Sequence, residues 1–289
     1  MTLAERLHCV TCASVSSDRG PGWTVNSPTG RLTDWGELWR AREVMGFFAL
    51  RDLRVRYKQA VLGAAWVVVQ PLVTVAVFTL VFDRLADVDT RGVPYVPFAL
   101  AGLLGWTYVS QCVSRGSEAL VANSSLVTKV YIPRLTAPVA SLLPPFVDLL
   151  VGLGLLAIVC AIFGAVPSVA LLLLPVWVLL LALTALGPTC FLAAVNVRFR
   201  DARQLVPTAL QALLFASPVA YSAASVHGVA RYAYALNPMV GVLEFGRFVL
   251  IGGPWPGTVL AVSTAVAVLM LAAGVRYFLR ASRAFADVI

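Results

Sequence analysis

Between residues 135 and 197 the chain carries one charged side chain, Asp148. No soluble fold tolerates such an interval, because a water-covered domain spends roughly 25% of its residues on charge. This chain spends 12% on charge, and 60% of it is hydrophobic. An ordinary soluble enzyme, a disordered chain and a free nucleic-acid binder are excluded on that ground. A helix rising 1.5 Å per residue crosses a 30 Å hydrocarbon core in about 20 apolar residues. The interval 135–197 is therefore long enough for two spans, with a turn at Gly164–Ser168 where Gly and Pro punctuate it.

The same measure predicts an all-α integral membrane protein of six transmembrane helices. The expected spans are 59–82, 93–114, 137–163, 169–195, 204–226 and 257–277, which together make a membrane domain of residues 59–289. Residues 227–256 are apolar but broken at Asn237-Pro238 and Gly252-Gly253-Pro254. They are expected to form a re-entrant hairpin whose backbone is covered by other protein. Residues 1–34 hold no apolar run long enough for a signal peptide and are expected to form a flexible cytoplasmic tail.

The formal charge of +8 has a topological reading. With six spans, only Arg84, Arg91, Arg231 and Arg247 of the 22 Lys and Arg fall on the face opposite the termini. The excess of basic residues marks the cytoplasmic side, so both termini are expected there. Five cysteines imply no disulfide framework. Cys9 and Cys12 form a pair beside His8, but a structural zinc needs four ligands and the other His is the distant His227. A free pair is expected, and no metal.

Residues 35–58 carry the densest basic run, with Gly46 expected to divide them. After it, Leu50, Leu53 and Tyr57 recur at i, i+3, i+7, and so do Arg51, Arg54 and Lys58. One apolar and one basic stripe, with Arg56 as a further basic residue of the run, read as an amphipathic helix in the headgroup layer or as a solvated basic flank. As an interface helix it would guide an anionic headgroup, since guanidinium–phosphate hydrogen bonds are charge-assisted.

Asp148 is the one acid inside a clear span and follows Pro144-Pro145. An intramembrane acid costs roughly 2.5–3.5 kcal/mol on insertion scales, so it marks function or a specific structural need. A structural role is expected ahead of proton coupling. Glu244 and Arg247 stand three apart and can pair across one helical turn. The pair is either partly buried and pins the hairpin's outer end, or lies on the surface and is worth less than about 1 kcal/mol.

Four blocks and the tail resemble a known family. They read RDLRVRYKQAVLGAAWVVVQPL at 51–72, NSSLVTKVYIPR at 123–134, NVRFRDARQLVPTALQALLFASPVAY at 196–221, and LNPMVGVLEFGR at 236–247; the chain ends in FADVI. From about residue 35 onward the chain is similar to permeases of the ABC transporter type-2 family, in the branch exporting O-antigen and teichoic acid.

The resemblance implies a half-transporter in the bacterial cytoplasmic membrane. Two copies of the chain would pair with two copies of a separate ATPase that binds ATP and Mg, this chain holding no cofactor. The residues agree, because neither Lys58 nor Lys129 stands in the glycine-rich pattern that cradles phosphates. The resemblance makes Asn123, Lys129, Tyr131, Pro133 and Arg134 the coupling element that docks in the ATPase. It places Glu244 and Arg247 at the extracytoplasmic gate. It also makes Trp66, Gln70, Phe78, Trp106, Tyr108, Phe215 and Tyr221 candidates to line a pore over which sugar rings slide. The plainer reading of the aromatic residues is the belt found at most membrane interfaces.

The function expected is export of lipid-linked polysaccharide, with membrane lipids as surroundings and no nucleic acid as partner. A type-2 permease for a drug or lipid is the alternative within transport. An intramembrane enzyme acting on a polyprenyl-linked glycan is the rival of another class, disfavoured because the acids are scattered.

Overall fold

The computed structural model describes residues 36, 41–58, 65–85, 90, 92–122, 134–164, 169–199, 201–223 and 229–282. The chain divides into two units, 1–34 and 35–289, and all described residues lie in the second. They form helices: α1 Arg42–Lys58, α2 Trp66–Phe78 with a π-helical extension Thr79–Leu85, α3 Tyr95–Ala122, α4 Thr136–Ala140, α5 Leu143–Phe163, α6 Leu174–Arg198 after a 3-10 turn Val169–Leu173, α7 Ala202–Ala216, α8 Val229–Ala235, α9 Pro238–Ile251 and α10 Thr258–Ala281. No strand occurs among the described residues.

Among these residues, five segments are long and apolar enough to cross a membrane: Trp66–Asp83, Tyr95–Ala122, Thr136–Phe163, Val169–Arg198 and Thr258–Ala281. Three of the expected spans, 137–163, 169–195 and 257–277, coincide with such segments at nearly their expected bounds. Of the others, the first begins at Trp66, and residues 59–64 lie outside the described residues. The second is longer than expected, because α3 continues as helix past Arg115 and Glu118 to Ala122.

The expected span 204–226 differs most. Its helix, α7, stops after 15 residues at Ser217, which is extended at φ −109°, ψ 149°. Ser217 precedes Pro218, whose ring disfavours the helical conformation in the residue before it. Fifteen residues rise only about 22 Å, short of the hydrocarbon core.

α3 is the central post. Leu100 is fully buried in a core completed by α5, α6 and α9, and Leu120 is fully buried in a second cluster with residues of α4, α6 and α10. α6 and α10 meet backbone to backbone at Gly187 and Gly274; a Cβ on Gly187 would stand 2.8 Å from the Leu271 nitrogen. Small residues at such crossings let helices gain dispersion contacts in lipid, where no hydrophobic effect drives them together. Trp177 of α6 is fully buried and donates its Nε1 hydrogen to the Val242 carbonyl at 3.0 Å, tying α9 to the bundle.

α9 is a short helix buried along nearly its whole length. Burial is possible because its first turn has partners for its N–H groups. Pro238 has none to satisfy, Asn237 Oδ1 accepts from Met239, the Asn237 carbonyl accepts from Val240, and Ser263 Oγ of α10 accepts from Gly241 at 3.1 Å. Its other end closes on Gly252 at φ 69°, with the Gly253 N–H on the Arg247 carbonyl.

α1 is one helix that passes through Gly46 rather than dividing there. Phe48 and Ala49 are buried against the bundle, while the outward face mixes exposed Phe47 and Leu50 with exposed Arg54.

Candidate functional site

Two polar constellations stand out in an otherwise apolar bundle. The first is a cavity of about 240 Å³ between α2, α3 and α5, touched by Leu214 of α7. Gln70 and Thr74 contribute from α2, Trp106, Thr107, Tyr108, Ser110 and Gln111 from α3, and Asp148 from α5. Pro71 in the middle of α2 also lines it; lacking an N–H, it leaves the Val67 carbonyl without its helical donor. Asp148 is buried, one turn into α5 behind Pro144 and Pro145. Gln111 Oε1 is buried with no hydrogen-bond partner among the described residues.

The cavity gathers Gln70, Trp106, Tyr108 and Asp148 from the residues singled out in the sequence. The other aromatic candidates lie elsewhere. Trp66 and Phe215 are exposed, and Phe78 is buried edge-on against Phe82. Tyr221 bridges the end of α7 to α8: its hydroxyl donates to the Phe215 carbonyl at 3.1 Å and stands 2.7 Å from the Tyr234 hydroxyl.

The second constellation is built around Arg247 of α9. The pair with Glu244 is made across one turn at 3.0 Å, and it is buried, with only 2% of the Arg247 side chain exposed. The surface alternative is thereby set aside.

The pair serves the break after α7. Segment 217–223 is non-helical and largely buried, so its carbonyls and N–H groups need partners. The Arg247 Nη2 group donates to the Pro218 and Val219 carbonyls, both at 2.7 Å, and Nη1 donates to the Tyr221 carbonyl at 3.1 Å. Glu244 Oε1 accepts from the Ala223 N–H at 2.7 Å and the Ser222 hydroxyl at 3.4 Å. Tyr95 of α3 donates its hydroxyl hydrogen to the Ala220 carbonyl.

The guanidinium lies 3.8 Å over the Phe98 ring, a cation–π contact that suits a desolvated cation. Its Nε has no acceptor among the described residues. Gly102 makes room: a Cβ there would meet the Val219 carbonyl oxygen at 2.6 Å and Arg247 Nη2 at 2.8 Å.

The roles of Phe98, Tyr95, Gly102 and Gln111 were not read from the sequence. Gln111 had a signal, a polar residue within an expected span. The others became meaningful only once segment 217–223 folded onto α3.

On α1, Arg51 is half-buried, paired with Asp52 at 2.9 Å and placed over the Phe48 ring at 5.5 Å. Arg54 is exposed, and Arg56, Tyr57 and Lys58 occupy the last turn of the helix. Of the expected coupling residues, Arg134 stands in the turn before α4, while Asn123, Lys129, Tyr131 and Pro133 lie outside the described residues. So do Cys9 and Cys12.

The chain is 30% identical over 209 residues to the O-antigen export system permease protein RfbA of Myxococcus xanthus, covering 72% of this chain and 80% of the relative. It is 20% identical over 246 residues to a protein of the same name from Klebsiella pneumoniae, covering 83% and 92%. A second Klebsiella pneumoniae protein of that name is 19% identical over 240 residues, with the same coverage. Residues 45–251 match the family described as ABC-2 type transporter, a stretch that holds both polar constellations, and the chain belongs to that family.

Proposed function

We propose that this chain is the membrane permease subunit of an ATP-driven exporter that moves lipid-linked polysaccharide across the bacterial cytoplasmic membrane. The observation that carries the reading is similarity to O-antigen export permeases over most of both chains. The polar cavity among the spans supports it, since a hydroxylated chain needs hydrogen-bonding groups at membrane depth.

In this reading both termini are cytoplasmic, and α7 with segment 217–223 makes the fifth crossing although the helix alone is short. α8 and α9 form a re-entrant hairpin from the outer side. The Arg247–Glu244 clamp holds the hairpin to α3 and α7 and so forms part of the extracytoplasmic gate.

α1 lies at the cytoplasmic interface, where the exposed Arg54 faces the headgroup layer. Residues 123–134 dock in the ATPase, which supplies ATP and Mg chemistry in two copies beside two copies of this chain. Nucleotide hydrolysis moves the pair of permeases, and no covalent chemistry falls to this chain.

Depletion of the chain in its host tests the reading. Lipid-linked glycan is expected to accumulate on the cytoplasmic face of the membrane. Normal surface glycan with no accumulation overturns the substrate class.

A further inference from the structure

The outer faces of α6 and α10 carry one arrangement between them. The helices touch at Gly187 and Gly274, where a Cβ on Gly274 would collide with the Gly187 carbonyl. They touch again at Phe191 and Tyr277, whose ring centroids stand 4.9 Å apart. The second contact lies further along both helices, so the two run in the same direction. The ring pair belongs to the surface and not to the core, with Phe191 44% and Tyr277 38% exposed.

On α10, Met270, Ala273, Tyr277 and Arg280 recur at i, i+3, i+7, i+10, and all four are exposed. On α6, Phe191 and Arg198 are two turns apart on one face, and both are exposed. Each stripe is thus apolar along the helix and basic at its end. The small Ala273 leaves a notch between Met270 and Tyr277. Arg280 stands about one turn beyond the ring pair and Arg198 about two. Arg276, also exposed, precedes Tyr277.

None of these three arginines has an acidic partner among the described residues. The Arg198 guanidinium lies over the Phe199 ring at 5.5 Å. Complementing the helix dipole accounts for one cation in each last turn, Arg198 and Arg280, but not for Arg276 or the exposed rings.

We infer that this face is a binding site for an anionic phospholipid carrying two phosphates, of the cardiolipin type. Its acyl chains lie along Met270 and Ala273, the rings mark the headgroup boundary, and Arg198, Arg276 and Arg280 hold the phosphates. Charge selects two phosphates over one. Even with Asp201, three residues past Arg198, set against the arginines, two positive charges remain. Position separates this lipid from the exported one. No residue of α6 or α10 lines the 240 Å³ cavity, and α10 packs on α6, α8 and α9.

The test uses the full-length chain with the subunits that co-purify with it, stripped of lipid in a neutral detergent. Native mass spectrometry measures binding of cardiolipin, phosphatidylglycerol and phosphatidylcholine. Cardiolipin is expected to bind at least about threefold tighter than phosphatidylglycerol and tenfold tighter than phosphatidylcholine. The triple variant Arg198→Gln, Arg276→Gln, Arg280→Gln is expected to lose at least about tenfold in cardiolipin affinity. Arg231→Gln, an exposed arginine on α8, is expected to change it less than twofold. Ala273→Phe closes the notch and keeps every charge, so it tests the site even if the triple variant does not fold; a loss of at least threefold is expected. Parental affinity in either variant overturns the proposal, as does equal affinity for cardiolipin and phosphatidylglycerol. Displacement of cardiolipin by a polyprenyl diphosphate at lower concentration also overturns it, because the site then serves the export carrier.

Discussion

The two polar constellations answer the same problem in opposite ways. Around Arg247, the polar groups of a broken helix are met by other protein groups: both terminal nitrogens of the guanidinium donate to carbonyls of segment 217–223, and Glu244 accepts the N–H of Ala223. Around Gln111, polar side chains line an open volume and one buried acceptor lacks a donor. The chain itself completes the hydrogen bonds of segment 217–223, with Arg247 Nε alone of the guanidinium nitrogens left without an acceptor among the described residues, whereas the groups around Gln111 face an open volume. The first arrangement holds the fold together, and the second leaves capacity for a ligand.

The sharpest way to break this contrast is Arg247→Ala. It leaves Glu244 buried without its cation and strands three carbonyls, so a loss of about 3–5 kcal/mol of stability is expected. Unfolding in a denaturing detergent titration, with Arg247→Lys beside it, measures the loss. A change below 1 kcal/mol would mean that segment 217–223 is held by something else.

Ser263→Ala probes the same region more gently. It removes the acceptor for the Gly241 N–H and the hydroxyl that donates to the Ala235 carbonyl. A cost of about 1–3 kcal/mol is expected for leaving a buried donor unmet, read in the same titration.

Gln111→Leu turns the comparison on the cavity. If the cavity were dry, removing an unmet buried acceptor would stabilise the protein by about 1–3 kcal/mol. With a polar guest or water present, the change is expected to stay under about 1 kcal/mol, while export measured in cells falls.

Glu118→Gln gives the smallest effect. The Arg203–Glu118 pair is 3.2 Å long and 70% exposed at the arginine. Its loss is expected to cost well under about 1 kcal/mol, measured by thermal unfolding in detergent.

The parts legible in advance were those governed by one-dimensional rules. The interval 135–197, with Asp148 as its one charge, yields helices α5 and α6 at nearly the expected bounds, and the i, i+3 spacing of Glu244 and Arg247 yields an ion pair. The boundary at Pro218 was readable too, had the rule for residues preceding proline been weighed above the apolar run. Burial of the pair was not readable, because it depends on Gly102 of α3 meeting a segment more than a hundred residues later. The aromatic candidates divided for the same reason. Trp106 and Tyr108 share a cavity with Gln70, whereas Trp66 and Phe215 face outward, and composition ranks all four alike.

Apolar length and charge placement, by themselves, determined that this chain is a helical membrane protein. Both act locally: a run of residues either satisfies the bilayer or does not, whatever its neighbours do. The tertiary structure decided which polar residues hold the fold and which line the open cavity. That distinction turns on whether a donor and an acceptor from distant segments come within 3 Å, and only the packed bundle specifies it.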